Sequence, residues 1–201
     1  MAAPDSPPPL LCLASVSPRR RELLSQIGVA YTVAAADIDE TVLPGEAPRD
    51  YVARLAREKA QAVRRSGQRL PVLAADTTVV LDGSIYGKPR DQADAVAMLG
   101  RLSGRTHEVL TAVALADSHG VRQRLSASAV RFRSLTAAQC AAYWETGEPR
   151  GKAGGYAIQG LGAVFIESLS GSYSAVMGLP LFETAGLLRA AGIAYWHGAG
   201  C

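Results

Sequence analysis

The chain has 201 residues, 48% of them apolar and 19% charged, with a formal net charge of +3. That length and apolar content suit one large α/β domain or two lobes sharing a core, and so small a charge excludes a basic nucleic-acid coat while permitting a local basic cleft for an anion. No stretch reaches the roughly 18 uninterrupted apolar residues of a membrane span, and Cys12, Cys140 and Cys201 suggest a reducing cytosol, being odd in number and too scattered for a zinc site or a disulfide framework.

Residues 1–9 are proline-rich and lack the basic and apolar regions of a signal peptide, so they read as a disordered arm before a single domain over 10–201. Leu10 to Ser15 is predicted to be a buried strand. A helix follows from Pro18 to Ile27, with proline suited to its first turn and Gly28 as its stop. Between them runs Ser15-Val-Ser-Pro-Arg-Arg-Arg21, which places three arginines where a helix already carries partial positive charge. Each is disfavoured there by roughly 0.3–1 kcal/mol. A bound anion reverses the sign, because hydroxyls, amides and guanidiniums then converge on phosphate. A solvated basic turn capped by Ser17 is the plainer reading of the same residues.

Tyr31 to Ala35 reads as a second strand, and Asp37 to Pro48 as an acidic loop containing Asp39 and Glu40. An amphipathic helix then spans Arg49 to Arg65, with Tyr51, Val52, Leu55, Ala56, Ala60 and Val63 inward. Lys59 follows Leu55 by one turn, so it falls in or beside this apolar stripe. It must either snorkel to water or meet a negative partner. The third strand is predicted over Val72 to Ala75 and ends at Asp76, a position that serves catalysis in α/β folds or, equally, a turn. Val79 to Tyr86 is predicted to form a hairpin turning at Asp82-Gly83, followed by Gly87-Lys88-Pro89. Glu40 could join Asp76 around a hard cation such as Mg²⁺ or Mn²⁺, or be a solvated loop residue.

Asp91 is placed to cap a helix reaching Leu102, and two long strands follow, Glu108 to Ala116 and Val121 to Phe132. Thr136 and Gln139 match a capping box for a helix that stops at Gly147. A glycine-dense segment, Gly151 to Gly162, precedes a strand near Ala163 to Ile166, and Pro180 to Ala191 is the last helix. Strands and helices in this order, with adjacent hairpins, argue for a mixed α/β sheet. Neither G-x-G-x-x-G after the first strand nor a P-loop is present. Within the glycine-dense segment, Gln159 offers a donor and an acceptor that match a uracil or thymine edge; an exposed amide in a structural turn is the alternative. His107, His119 and His197 have no metal-ligand spacing, and His107 reads as a strand-edge residue. Trp144 and Trp196 read as packing or surface residues.

Taken in order, Ser15-x-Ser-Pro-Arg-Arg20, Arg57-Glu-Lys59, Ala75-Asp-Thr77, Gly87-Lys-Pro89, Lys152-Ala-Gly-Gly-Tyr-x-Ile-Gln-Gly160 and Gly171-Ser-Tyr173 through Gly178-Leu-Pro180 resemble the Maf family of nucleoside triphosphate pyrophosphatases. The resemblance runs from about Leu10 to Gly192 and is strongest to the branch acting on dTTP and UTP. It implies an elongated mixed sheet with two lobes around a cleft, similar to inosine triphosphate pyrophosphatases. It also implies hydrolysis to monophosphate and pyrophosphate, a house-cleaning role in the cytoplasm, a divalent cation (Mg²⁺ or Mn²⁺) and a homodimer. By the same resemblance Asp76 matches the proton acceptor, and Glu40 a metal-binding or catalytic carboxylate. Ser15, Arg19, Lys59 and Lys88 match triphosphate contacts, and Arg20, Thr77 and Gln159 set substrate choice. Ala75 departs from a paired aspartate, so a two-carboxylate metal site would recruit Glu40. Family members have also been linked to inhibition of septum formation, which makes a regulatory protein binding nucleotide or nucleic acid the alternative; release of orthophosphate is another. Basic residues without interleaved aromatics weigh against a dedicated nucleic-acid module.

Overall fold

A short apolar run can enter a parallel sheet only if both its faces are covered, and Leu11, Cys12 and Leu13 are all fully buried. In the computed structural model, which describes residues 8–196, these residues form β1 (Leu11–Leu13), parallel to β2 (Tyr31–Val33) and to β3 (Val72–Leu81). β3 pairs antiparallel with β4 (Ser84–Tyr86) and β5 (Thr106–Asp117), β5 with β6 (Gly120–Phe132), and β6 with β7 (Ile166–Ser170). The result is a seven-stranded mixed sheet in the order β2-β1-β3-β5-β6-β7, with β4 attached to β3. The mixed α/β class expected from the sequence is what the chain adopts. Of the proline-rich arm, Pro8 and Pro9 are described and exposed; residues 1–7, His197 and Cys201 lie outside the described residues.

Helices cover both faces: α1 (Pro18–Gln26), α2 (Pro48–Arg65), α3 (Gln92–Leu102), α4 (Ala137–Glu145), α5 (Tyr173–Met177) and α6 (Leu181–Ala190). The expected signals operate. Asp91 accepts from the amide of Asp94 at 2.8 Å, Thr136 and Gln139 form a reciprocal capping box, and the β3–β4 turn places Asp82 and Gly83 at φ 50° and 75°. α2 lays Val52, Ala56, Ala60 and Val63 on Cys12, Val72, Ala74 and Ala112. Each large aliphatic side chain so buried contributes about 1.5–3 kcal/mol. On the opposite face, Leu23, Leu24, Leu187 and Leu188 of α1 and α6 close over Leu11, Leu13 and Leu73. A third cluster, around Leu99, Leu102, Phe132 and Tyr143, joins α3 and α4 to the far half of the sheet.

Three sequence expectations need correction. β3 does not end at Asp76 but runs five residues further, because Asp76 and Thr78 are buried within the sheet and keep their ladder partners Ala112 and Leu110. The strand expected at Ala163–Ile166 is a 3₁₀ turn over Leu161–Phe165, with β7 starting where that turn ends. His107 is no edge residue. It is 2% exposed, edge-on to Phe132, and its Nε2 lies 2.8 Å from the Tyr156 hydroxyl.

Candidate active site

Alternation along β3 sends successive side chains to opposite faces. Asp76 therefore faces α2 while Thr77 faces α1 and α5, and the cleft opens where the two environments meet. Thr77 Oγ1 lies 3.0 Å from Thr111 Oγ1, whose hydroxyl donates to the Ala175 carbonyl at 2.7 Å. Arg20, on the first turns of α1, donates through Nε to the Gly178 carbonyl at 2.8 Å. Its two terminal nitrogens reach Ser15 Oγ and Thr77 Oγ1, both at 3.4 Å. Gly178 sits at φ 118°, a backbone conformation that glycine adopts without strain, and this turns its carbonyl toward the guanidinium. Burial lowers the Arg20 pKa from its ordinary value, and Asp76 opposes that fall.

The α1 N-terminus differs in detail from a solvated turn. Ser17 occupies the cap position but makes no side-chain cap bond; its amide donates to Ser15 Oγ at 3.2 Å. Ser15 is buried and Arg19 half-buried, and both line the cleft with Ser17 and Arg20. Arg19, too, has its pKa lowered by burial.

Lys59 takes the second of the two fates open to a stripe lysine. It is 8% exposed, with Nζ 2.7 Å from Asp76 Oδ1 and 2.6 Å from Glu40 Oε1. Lys88 approaches the other Glu40 oxygen at 3.6 Å. Burial raises the Asp76 pKa above its ordinary value although Lys59 and Arg20 pull it down. Glu40 goes the other way: partial burial pushes up, but Lys59 and Lys88 bring it below the usual carboxylate value. The loop bearing Glu40 is pinned to α2, since Tyr51 donates to the Glu40 carbonyl at 3.0 Å and Arg54 to that of Thr41 at 3.0 Å. Two neighbouring carboxylates converging on one ammonium thus end up with different proton affinities.

The opposite wall is the glycine-rich segment. Gly154 at φ 68° brings the backbone against Val79, where a Cβ would come within 2.8 Å of Cγ2. Gln159 is exposed and lines the cleft. Lys152 and Arg150 line it too, and no local misfit in the sequence marks either of them; the Arg150 guanidinium stacks 5.2 Å from the Trp144 ring centroid. Tyr51 is a further cleft residue, one that the apolar pattern of α2 marks only as packing. The cleft holds about 720 Å³ and brings together all nine residues singled out from the sequence, Ser15, Arg19, Arg20, Glu40, Lys59, Asp76, Thr77, Lys88 and Gln159.

Among the described residues no three His, Cys, Asp or Glu side chains cluster as a ready-made metal cage. Glu40 and Asp76 nevertheless present hard oxygen donors within one ammonium's reach of each other. Such a pair suits Mg²⁺ or Mn²⁺, ions that commonly bind one or two carboxylates and complete their shell with water and substrate phosphate. Chemically, the cleft can neutralise a polyanion from both walls and hold a proton-accepting carboxylate between them.

Residues 10–191 match the family model described as Maf-like protein. The dTTP/UTP pyrophosphatase of Burkholderia pseudomallei is 56% identical, the alignment covering 96% of this chain and 98% of that one. That of Bordetella avium is also 56% identical, covering 92% and 97%. The solved Ham1 protein of Staphylococcus aureus aligns at 15% identity over 61% of this chain and 71% of that one, with a TM-score of 0.45. The family match contains every cleft residue named above, and two relatives share more than half of their residues with this sequence: the chain belongs to the Maf family.

Proposed function

We propose that this chain hydrolyses dTTP and UTP to the monophosphate and pyrophosphate. The observation that carries the reading is Asp76, a buried carboxylate of raised pKa, held by Lys59 inside a cleft whose two walls are basic. The names of its relatives, dTTP/UTP pyrophosphatases sharing 56% of their residues, supply the substrate class.

Arg19, Arg20, Lys88 and Lys152 neutralise the triphosphate, and Ser15 with the amides after Ser17 adds neutral donors. Lys59 occupies Asp76 Oδ1, leaving Oδ2 to orient a water and take its proton as the water attacks the α-phosphorus. The raised pKa makes Asp76 a stronger base than an ordinary carboxylate. Glu40 and Asp76 would hold the divalent cation, which supplies charge neutralisation on phosphate and a more acidic water. Gln159 reads the pyrimidine edge, with Thr77 and Arg20 shaping the pocket beside it. The enzyme acts in the cytoplasm as a homodimer; the buried free thiols of Cys12 and Cys140 are compatible with a reducing compartment.

The test is a panel of dTTP, UTP, CTP, GTP and ATP assayed with Mg²⁺, with Mn²⁺ and in EDTA, with products separated. Equal release of pyrophosphate and monophosphate from dTTP and UTP, lost in EDTA, is the expected result. Orthophosphate as the sole inorganic product, or binding without turnover, overturns it.

A further inference from the structure

Tyr143 and Glu148 lie outside the cleft lining, yet their hydrogen bonds close on both sides of Gln159. The Tyr143 hydroxyl, on α4, accepts from the Ala157 amide at 3.1 Å and donates to Glu148 Oε1 at 2.5 Å. Glu148 in turn accepts from the amides of Leu161 at 2.9 Å and Gly162 at 2.9 Å. Ala157 precedes Gln159 by two residues and Leu161 follows it by two, so one hydroxyl–carboxylate pair fixes the segment at both ends. The glycines independently show how closely the pieces fit. A Cβ at Gly160 would lie 2.0 Å from Glu148 Oε2, and one at Gly162 would lie 2.6 Å from the Tyr143 oxygen. Partial burial raises the Glu148 pKa, but the Tyr143 hydroxyl and the two amides outweigh it, so the carboxylate that makes these bonds is the stable form.

We propose that Tyr143 and Glu148 are positioning residues for base selectivity: they clamp residues 157–162 and thereby set where the Gln159 carboxamide stands in the cleft. This rests on the reading that Gln159 recognises the pyrimidine. A carboxamide discriminates between bases only if its donor and acceptor are held in register with the base edge, and an exposed side chain inherits its register from its backbone. The Tyr143–Glu148 pair supplies that register with three backbone bonds, and the Tyr143 ring, 4.9 Å from that of Phe165, anchors the hydroxyl.

The test is Tyr143→Phe, which removes one oxygen and keeps the ring. Amide hydrogen exchange at Ala157, Leu161 and Gly162 should accelerate by about tenfold or more, the scale of one lost buried hydrogen bond. The kcat/KM preference for dTTP over GTP should narrow by about tenfold on the same scale, through KM for dTTP more than kcat. Tyr143→Phe in a Gln159→Ala background should narrow it no further, because both changes act on one contact. If Gln159→Ala narrows the preference and Tyr143→Phe leaves it unchanged, the clamp is overturned and base reading by Gln159 stands. If Gln159→Ala itself leaves the preference unchanged, base reading falls and the clamp with it. Should Tyr143→Phe not fold, Glu148→Gln decides by the same readouts, since its amide offers the Leu161 and Gly162 N–H groups one acceptor in place of two.

Discussion

Asp76→Asn separates the charge of the cleft carboxylate from its shape. Asp76 is 7% exposed, and Lys59 Nζ lies 2.7 Å from Oδ1. At an effective dielectric of ~20, that contact supplies about 6 kcal/mol of attraction. Against it stands the desolvation of a buried carboxylate, several kcal/mol even after relaxation. Burial wins, because the Asp76 pKa is raised despite Lys59 and Arg20. A group whose pKa rises on folding contributes stability that is full below its unfolded value and lost as pH climbs through the folded one. Ionising the carboxylate therefore weakens the fold. Asparagine removes the charge and keeps an acceptor for Lys59, which retains Glu40 at 2.6 Å. The melting temperature should stay within about 4 °C of the parent, the shift that roughly 1 kcal/mol produces in a domain of this size. Turnover should fall roughly 10²–10⁴-fold, or about 3–5 kcal/mol of transition-state stabilisation. Steady-state hydrolysis of dTTP beside calorimetric melting at pH 7 measures both. Turnover within about tenfold of the parent, on that same scale, refutes Asp76 as the base; a fall of about 10 °C makes its charge structural.

Lys59→Met leaves Asp76 and Glu40 facing each other without their shared ammonium, so turnover should collapse. Asp76 then resists ionisation further, and the variant's stability deficit should grow as pH rises from 4 to 8; a deficit independent of pH in thermal melts contradicts this. Gln159→Ala should narrow the kcat/KM lead of dTTP and UTP over GTP and ATP by about tenfold, the scale of a lost hydrogen bond between an exposed carboxamide and the base edge. Selectivity matching the parent's on four substrates assayed side by side would move base reading to Arg20 or Thr77. His107 has its pKa driven down to about 4 by burial. Its folded value lies below the unfolded one, so its stabilisation is full above pH ~6.5 and is lost as pH falls through the folded value. His107→Gln should flatten that acid limb of the melting curve, and an unchanged limb contradicts the assignment.

The sequence announced its helices well because their signals are local. Proline at the start of α1, Asp91 before α3, the Thr136–Gln139 box and the glycines past the helix ends all act within a turn of where they stand. The candidate site was legible through misfits of the same local kind: arginines at a helix N-terminus and a lysine in an apolar stripe. What those misfits meet is not local. Lys59 finds Asp76 and Glu40 from a strand and a loop, and only the fold shows that they meet. The apolar run alone ends β3 early, because Asp76-Thr77-Thr78 interrupts it, yet Asp76 and Thr77 find partners in Lys59 and Thr111 and the strand continues. The five-residue α5, a single turn capped by Ser172, carries too little periodicity to be legible in the sequence. The strand expected at Ala163 was displaced when Glu148, more than ten residues earlier, captured the amides of Leu161 and Gly162 and wound that segment into a 3₁₀ turn.

The central claim is attack of water on the α-phosphorus of a pyrimidine nucleoside triphosphate. Hydrolysis of dTTP in H₂¹⁸O with Mg²⁺, followed by mass analysis of both products, tests it most directly. One ¹⁸O should appear in each dTMP and none in pyrophosphate. Label in the pyrophosphate, or labelled orthophosphate with dTDP, would contradict the account.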